Sequence, residues 1–217
     1  MVWNQLTPPW QECIKEAWTA YCKGSLPIGS VITNTQGHIL ARGRNRIHEE
    51  RGGDLHISGH QFAHAEINSL LQVDWNRVNP RSCILYSTTE PCPLCVGAIR
   101  MSFIGEVRYA SRDEMAGSAR LFEATPFLRK GQIRVVGPQH SDLEVILIAM
   151  LIEFALHFTD AMPSSRYEQL VSIDSEGARL GKQLFTSNQL RRWKAEEKAA
   201  AFVLDQIAHY YETVKDG

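Results

Sequence analysis

Three side chains in the first half of the chain have the types and spacing of metal ligands. His64 begins the tripeptide His64-Ala65-Glu66, and the segment Pro91-Cys92-Pro93-Leu94-Cys95 supplies two thiols. Each motif alone is weak, because a lone histidine is usually a hydrogen-bonded core or surface residue and a Cys-x-x-Cys pair can be a redox couple. Together they offer one imidazole and two thiolates, which zinc accepts.

Both motifs lie where the sequence pattern predicts the first turn of a helix. One helix is expected to begin near Phe62 or Ala63, and another covers Pro93 to Phe103. Helix N-termini stabilise thiolates, and cysteines three residues apart lie on one side of a helical turn. Three protein ligands leave the fourth zinc position open to water, whose pKa falls to roughly 7, whereas a structural zinc would take a fourth protein ligand. The sequence therefore predicts a catalytic Zn²⁺ held by His64, Cys92 and Cys95.

Glu66 follows His64 by two residues in the same predicted turn. From there its carboxylate can reach metal-bound water without ligating the metal, which is the position of a proton shuttle. The alternative is an acid that only complements the helix dipole. Because the two cysteines accompany it, we expect Glu66 to be catalytic.

Length and composition predict an ordinary globular protein. The chain has 217 residues, of which 44% are hydrophobic and 22% charged, and this excludes a disordered chain or a small disulfide scaffold. Its formal net charge of -1 lacks the positive field of a nucleic-acid-binding protein, so any nucleic-acid site would have to be local. The first seven residues do not resemble a signal peptide, and the five cysteines lack the density of a secreted framework, so we expect a cytoplasmic protein.

The elements that must position the motifs alternate along the chain. An amphipathic helix follows Thr7-Pro8-Pro9 and ends before Gly24, and turn residues 34–37 join two β-rich runs in a hairpin. The predicted strands are Ile28–Thr33, His38–Arg42, Cys83–Ser87, Val107–Ser111 and Gln132–Val136. This alternation predicts an α/β fold, a three-layer α-β-α sandwich with helices on both faces of a central sheet.

The character of the sequence changes near residue 141, which we take as the boundary between a domain at 1–141 and a C-terminal helical extension at 142–217. Leu143 to Phe158 is apolar nearly all round, which predicts a helix buried in the core or in a subunit interface. Its longest uncharged run is too short to span a bilayer, so we expect no membrane partner.

A polar connector around 163–165 separates this helix from a last helical segment, Leu190 to Val214. One apolar stripe of that segment consists of Trp193, Leu204, Ile207, Tyr211 and Val214. The apolar helix can pack on its own chain or complete a homodimer, and we expect the homodimer. The last segment would then cover the same surface and close over the pocket as a lid.

The joint pattern His-x-Glu and Pro-Cys-x-x-Cys resembles the signature of zinc-dependent nucleobase deaminases. Ala63–Ile67, Cys83–Tyr86 and Thr89–Ile99 resemble the cytidine-deaminase-like superfamily, in particular its branch of guanine deaminases and tRNA adenosine deaminases. The resemblance covers approximately Trp10 to Val136. It implies hydrolytic deamination, in which hydroxide attacks the amine-bearing ring carbon, Glu66 carries protons and ammonia leaves.

The same resemblance implies substrate-binding residues. Pro27-Ile28-Gly29-Ser30 resembles the family's Pro-x-Gly-Ala strand start, whose backbone lines the pocket, with Ser30 in place of the commoner alanine. Asn45 matches an asparagine that hydrogen-bonds the base or ribose, although it could also be a simple turn residue. Ala65 and the Cys92 N–H match groups that contact the base and the attacked centre. Asp113 stands where purine-deaminating relatives often have a recognition acid, in a loop that is less alike.

Three functions remain open from the sequence. The leading one is deamination of a free aminated heterocycle, a purine-like base or nucleoside or a related ring. The alternative is adenosine-to-inosine deamination of tRNA, for which arginines at 42, 44, 46 and 51 and the basic residues at 191, 192 and 194 could contact phosphate, although such charges are usually solvated. The third is a non-catalytic zinc-stabilised interaction module, which would have no use for Glu66.

The loop from His48 to His60 departs from the family. It carries three histidines, at 48, 56 and 60, whose spacing in a glycine-rich loop is not that of a helical ligand set. We therefore expect a solvated or pocket-rimming loop rather than a second metal site.

Overall fold

A computed structural model describes residues 2–52, 55–138, 141–161 and 175–215. It shows a central sheet with helices on both faces. The strands are β1 (Gly29–Asn34), β2 (Ile39–Arg44), β3 (Cys83–Thr89), β4 (Glu106–Ser111) and β5 (Arg134–Val136). The helices are α1 (Pro8–Cys22), α2 (Ala65–Leu71), α3 (Pro93–Met101), α4 (Pro126–Arg129), α5 (Ser141–Ala161), α6 (Glu176–Ser187), α7 (Gln189–Ala195) and α8 (Ala200–Lys215).

The five strands pair in the order β2-β1-β3-β4-β5. Strand β1 is antiparallel to both β2 and β3, whereas β3, β4 and β5 run parallel to one another. The helix α3 connects β3 to β4, as a parallel pair requires. Because Thr89 pairs with Ser111, the carboxyl ends of β3 and β4 meet at one edge of the sheet. The chain enters α3 from that edge.

Residues next to each other on a strand point to opposite faces, and the two faces carry separate cores. Val31 and Tyr86 pack with α1 and with the helices from α5 onward. Their neighbours Ile32 and Leu85 pack with α2 and α3. The predicted three-layer sandwich is confirmed. The order of helices and strands is as predicted, except that the short helix α4 between β4 and β5 and the helix α6 were not predicted.

Two glycines let the helices approach the sheet closely. A Cβ on Gly29 of β1 would lie 2.0 Å from the carbonyl oxygen of Cys13 in α1. A Cβ on Gly43 of β2 would lie 2.3 Å from the carbonyl oxygen of Ala65 and from the amide of Ser69, both in α2. The first turn of α2, which follows His64, is therefore fixed directly against the sheet.

The apolar helix α5 is buried within its own chain. It packs against β4, α6 and α8. Helix α6 runs parallel to α5, and a Cβ on Gly177 or Gly181 would lie within 2.7 Å of side-chain atoms of Ile148 or Ile152. Of the two alternatives for α5, the structure shows packing on its own chain, so the burial of this helix needs no second subunit.

The last helical segment is divided, which the sequence analysis did not predict. Trp193 lies on α7, whereas Leu204, Ile207 and Tyr211 lie on α8. Glu197 between the two helices has a φ of 52° in the left-handed region, which no α-helix continues through. These four residues of the predicted stripe are buried in the core that they share with α1 and α5. The stripe is thus used for internal packing.

Several predicted boundaries were wrong by a few residues. Helix α2 begins at Ala65 because tight turns occupy the preceding residues, with the amide of His64 bonded to the carbonyl of Phe62 over 2.8 Å. Helix α3 ends at Met101, before Phe103, whose φ is 60°. Strand β5 begins at Arg134.

The predicted connector at 163–165 lies outside the described residues. None of the described helices has the length and apolar character needed to cross a membrane.

Candidate active site and metal centre

Two helix N-termini bring the predicted metal ligands together. His64 is the N-cap residue of α2 and Cys92 is the N-cap residue of α3, and neither side chain caps its own helix. Cys95 lies in the first turn of α3 and is fully buried. Pro93 at the helix start has no N–H to satisfy there and carries the φ that a helix needs. The three ligand side chains thus remain available to one another.

The distances among the three ligand atoms match a tetrahedral zinc site. The Nδ1 atom of His64 lies 3.5 Å from Sγ of Cys92 and 3.4 Å from Sγ of Cys95, and the two sulfurs are 3.7 Å apart. Zinc bonds of about 2.3 Å to sulfur and about 2.0–2.1 Å to nitrogen would place tetrahedral ligands roughly 3.5–3.8 Å apart. Among the described residues these three form the one group of such side chains close enough to share an ion.

The two thiols have different pKa values. Its hydrogen bonds with Cys95 and His64 lower the pKa of Cys92 to about 4, against the effect of burial. The pKa of Cys95 lies well above the usual range because of its contact with Cys92 and its burial. A bound metal requires both as thiolates, so metal binding releases a proton from Cys95.

Glu66 lies beside the ligand set and is itself buried. Its Oε2 accepts a hydrogen bond from the Cys95 thiol over 3.3 Å. Burial raises the pKa of Glu66, and the nearby His64 opposes that rise. Because a metal would replace the thiol proton of Cys95, it would also free Oε2 for another partner.

Two serines that were not predicted, Ser69 and Ser87, support Glu66, and Ser30 supports Ser69 in turn. Ser87 donates to its Oε1 over 3.1 Å from the end of β3. Ser69 donates to the carbonyl oxygen of Glu66 over 2.9 Å, and its own oxygen lies 3.0 Å from Oγ of Ser30. Since the Ser69 proton is already used, Ser30 is the donor of that pair. The serine that replaces the family's alanine therefore has a buried partner on α2.

The predicted substrate-binding residues have varied local roles. Pro27, Gly29 and Ala65 are buried, and the amide of Gly29 donates to Oγ1 of Thr88. Asn45 is also buried, and its Oδ1 accepts a hydrogen bond from the amide of Ile47. This bond is typical of a turn residue, the alternative role of Asn45. Their contact with a substrate stays a prediction.

Asp113 shapes the loop that follows β4. Its Oδ1 accepts hydrogen bonds from the amides of Met115 and Ala116, at 3.0 and 2.9 Å. In the same loop the amide of Ala119 donates to Oε1 of Glu90, two residues before Cys92. Asp113 thus has a turn-forming role in addition to the recognition role that the resemblance implies.

The histidines of the 48–60 loop point to different neighbours. The ring of His48 stacks on Phe154 of α5 with 6.3 Å between the centroids. His60 contacts the ring of Phe62, and His56 lines a cavity at the edge of β2. Among the described residues they do not form a second metal-binding group.

The cavity at the edge of β2 has a volume of about 430 Å³ and contains three of the arginines considered for phosphate binding. Arg44 and Arg46 both pair with Glu49, and Arg42 pairs with Glu12 over 2.8 Å. The carboxylates around this cavity thus neutralise much of its positive charge.

Comparison with known proteins defines the class. The family model described as the cytidine and deoxycytidylate deaminase zinc-binding region matches residues 5–111. That range contains the sheet edge, both helix N-termini and all three predicted ligands. Residues 5–111 of the chain belong to the cytidine-deaminase-like superfamily and carry the zinc-binding region of that family.

Individual relatives belong to the branch that the sequence resembles. The tRNA-specific adenosine deaminase of Bacillus subtilis is 35% identical over 116 residues, which cover 49% of this chain and 62% of the relative. A structure from a study of A-to-I editing by tRNA:A34 deaminases has a TM-score of 0.50 at 27% identity and covers 59% of this chain and 96% of that one. The guanine deaminase from Nitrosomonas europaea has a TM-score of 0.51 at 20% identity, covers 69% of this chain and 85% of its own, and is similar in fold.

The chain spans between 17% and 64% of the length of the curated relatives that it matches. The family model ends at residue 111, before α5, so it gives no account of the C-terminal helices.

Proposed function

We propose that the chain is a zinc-dependent hydrolytic deaminase that acts on a free aminated heterocycle, a purine-like base or nucleoside or a related ring. Water adds to the ring carbon that bears the amine, the C–N bond breaks, and the products are the ring carbonyl compound and ammonia. The proposal rests on one observation above all. A buried carboxylate that is not a ligand, Glu66, lies in contact with the ligand set.

His64, Cys92 and Cys95 would hold the zinc ion, which when bound supplies the Lewis acid that makes hydroxide available near neutral pH. Glu66 is anchored through Oε1 by Ser87, so Oε2 is the oxygen that can take and return protons. A structural zinc site would gain nothing from a buried carboxylate in this position, because the carboxylate would only add desolvation cost. This argument favours catalysis over an interaction module.

The paired arginines support a small substrate. A tRNA substrate needs several cations for phosphate, and much of their contribution comes from release of counterions. Arg42, Arg44 and Arg46 already have carboxylate partners, and the net charge of the chain is -1. A phosphate backbone would have to displace those partners.

Deamination of tRNA adenosine is the second candidate. It is favoured by the similarity of the chain to tRNA-specific adenosine deaminases, at 33 to 35% identity. It uses the same ligands and the same Glu66. The two candidates differ only in the substrate that reaches the site.

The test is ammonia release by the zinc-loaded chain from a panel of purines, pyrimidines, their nucleosides, and aminated triazine and pterin rings, with tRNA transcripts assayed for inosine. Glu66→Gln is the matched control for contaminating deaminases. Turnover of a free ring, absent in the control, supports the proposal. Inosine formation in tRNA without turnover of any free ring would replace it with the second candidate.

We also propose that the chain forms a homodimer, on a surface other than α5. Leu94 and Met101 lie seven residues apart on one face of α3 and are 38% and 62% exposed, and Phe103, two residues after Met101, is 51% exposed. Grouped exposed apolar side chains are typical of interfaces. Sedimentation should show a dimer for the wild type and a monomer for Met101→Glu, and a monomeric wild type at micromolar concentration would refute the dimer.

The cellular location that we propose is the cytoplasm. The two predicted thiol ligands are free cysteines, and the reducing cytosol keeps such thiols from forming disulfides.

A further inference from the structure

A buried carboxylate connects the C-terminal helices to the first helix of the chain. Glu153 lies in the middle of the apolar helix α5 and is 0% exposed. Its Oε1 accepts a hydrogen bond from the hydroxyl of Tyr21 on α1 over 3.0 Å. Nε2 of His157, one turn further along α5, lies 3.0 Å from the same oxygen. One carboxylate oxygen thus joins the two sides of the contact between α1 and α5.

The second oxygen of Glu153 is buried and has no hydrogen-bond partner among the described residues. An ionised carboxylate with an unsatisfied buried oxygen is costly, and a bound proton removes the charge. Burial raises the pKa of Glu153 to about 7, although the Tyr21 hydrogen bond and the attraction of Arg191 and Lys194 lower it. The docked helix therefore holds a proton at a pH where a solvated glutamate would have lost it.

The groups around Glu153 that the structure describes come from four helices. Helix α1 contributes Tyr21 and α5 itself contributes His157. Helix α7 contributes the exposed cations Arg191 and Lys194, which act at a distance. Helix α6 contributes an aromatic ring, that of Phe185, whose centroid lies 4.5 Å from the His157 ring. A glutamate that left this contact would exchange an apolar surrounding for water.

We propose that Glu153 is a proton-binding site that makes the docking of helices α5 to α8 on α1 dependent on pH. The docked arrangement takes up a proton, and the released arrangement gives it back to water. Acidification therefore strengthens the docking of these helices on α1. Helix α1 in turn contacts β1 through Cys13 and Gly29, and β1 supports the candidate active site. The proposal stands independently of the deaminase function, since it concerns packing alone.

The direction of the effect follows from the position of the pKa. Because the folded-state pKa is raised, the stabilisation is fully present below the ordinary value of 4.5 and is lost as the pH rises through about 7. Between pH 6 and pH 8 the docking equilibrium should weaken by about tenfold.

The experiment is hydrogen–deuterium exchange of the full chain at pH 6 and pH 8, corrected for the intrinsic exchange rates. The amides of α5 should lose about tenfold in protection at pH 8 in the wild type, and Glu153→Gln should abolish this difference. Glu144→Gln is the matched control on the same helix. Although desolvation opposes the shift, hydrogen bonds from Arg112 lower the pKa of Glu144, so its titration lies at low pH and the control should keep the wild-type difference.

Equal pH dependence in the wild type and in Glu153→Gln would overturn the proposal, as would wild-type protection that does not change between the two pH values. If Glu153→Gln does not fold, a ¹³C NMR titration of the Glu153 carboxyl in the wild type decides. A midpoint near 7 supports the proton-binding site, and a midpoint at the ordinary value for glutamate contradicts it.

Discussion

Ser87 donates a hydrogen bond from its Oγ to Oε1 of Glu66 over 3.1 Å, between two side chains that are 0% and 3% exposed. The bond joins the end of β3 to the first turn of α2. Because Ser87 holds Oε1, Oε2 is the oxygen that faces the predicted ligands. The proposed chemistry uses Oε2.

Ser87→Ala should therefore lower kcat about tenfold and leave KM within about twofold, because the proton carrier loses its orientation while the pocket keeps its shape. The measurement is steady-state deamination with the best ring of the substrate panel. Ser111→Ala is the control, since that buried hydroxyl donates to the carbonyl of Thr88 on the neighbouring strand. Similar losses in both variants would mean that Ser87 matters only for packing.

Elemental analysis should find one zinc ion per chain. Replacing both Cys92 and Cys95 by alanine should remove the metal, because a single imidazole cannot hold it. Cys83→Ala, at a buried cysteine of β3 away from the ligand set, should keep it. Zinc at full occupancy in the double variant would show that the metal binds elsewhere.

The contact between α5 and α6 should depend on its glycines. In Gly181→Ala the new Cβ would lie 2.7 Å from both the carbonyl oxygen of Ala149 and the Cβ of Ile152, so the variant should lose about 1–3 kcal/mol of unfolding free energy. Gly97→Ala in α3 adds a Cβ that meets nothing within 4 Å and should gain up to about 1 kcal/mol. Urea unfolding of both variants measures the difference. A stabilised Gly181→Ala would show that α6 does not approach α5 so closely.

The sheet and the ligand set could be predicted because their signals are local. Strand β3 is a short apolar run that leads directly into the Pro-Cys-x-x-Cys motif, and the spacing of Cys92 and Cys95 is that of one helical turn. His64 comes from a distant part of the sequence, and its motif with Glu66 was specific enough to place it there.

The supporting contacts could not be predicted, because they depend on how separate elements meet. Nothing near Ser87 in the sequence indicates that its hydroxyl meets Glu66. Helix α6 escaped prediction because Gly177 and Gly181 weaken a helical pattern, yet the same glycines permit its close packing. The preference for α5 as a dimer surface failed because α6, its cover, had not been recognised.

The most direct test of the account compares zinc content and turnover in Glu66→Gln. The variant should bind one zinc ion per chain, as we expect of the wild type, because Glu66 is not among the three predicted ligands. Its kcat for the preferred substrate should fall by at least the ~10²-fold typical of general acid–base catalysis. A zinc-loaded variant that releases ammonia within a few-fold of the wild-type rate would contradict the account, because the carboxylate would then have no part in the reaction.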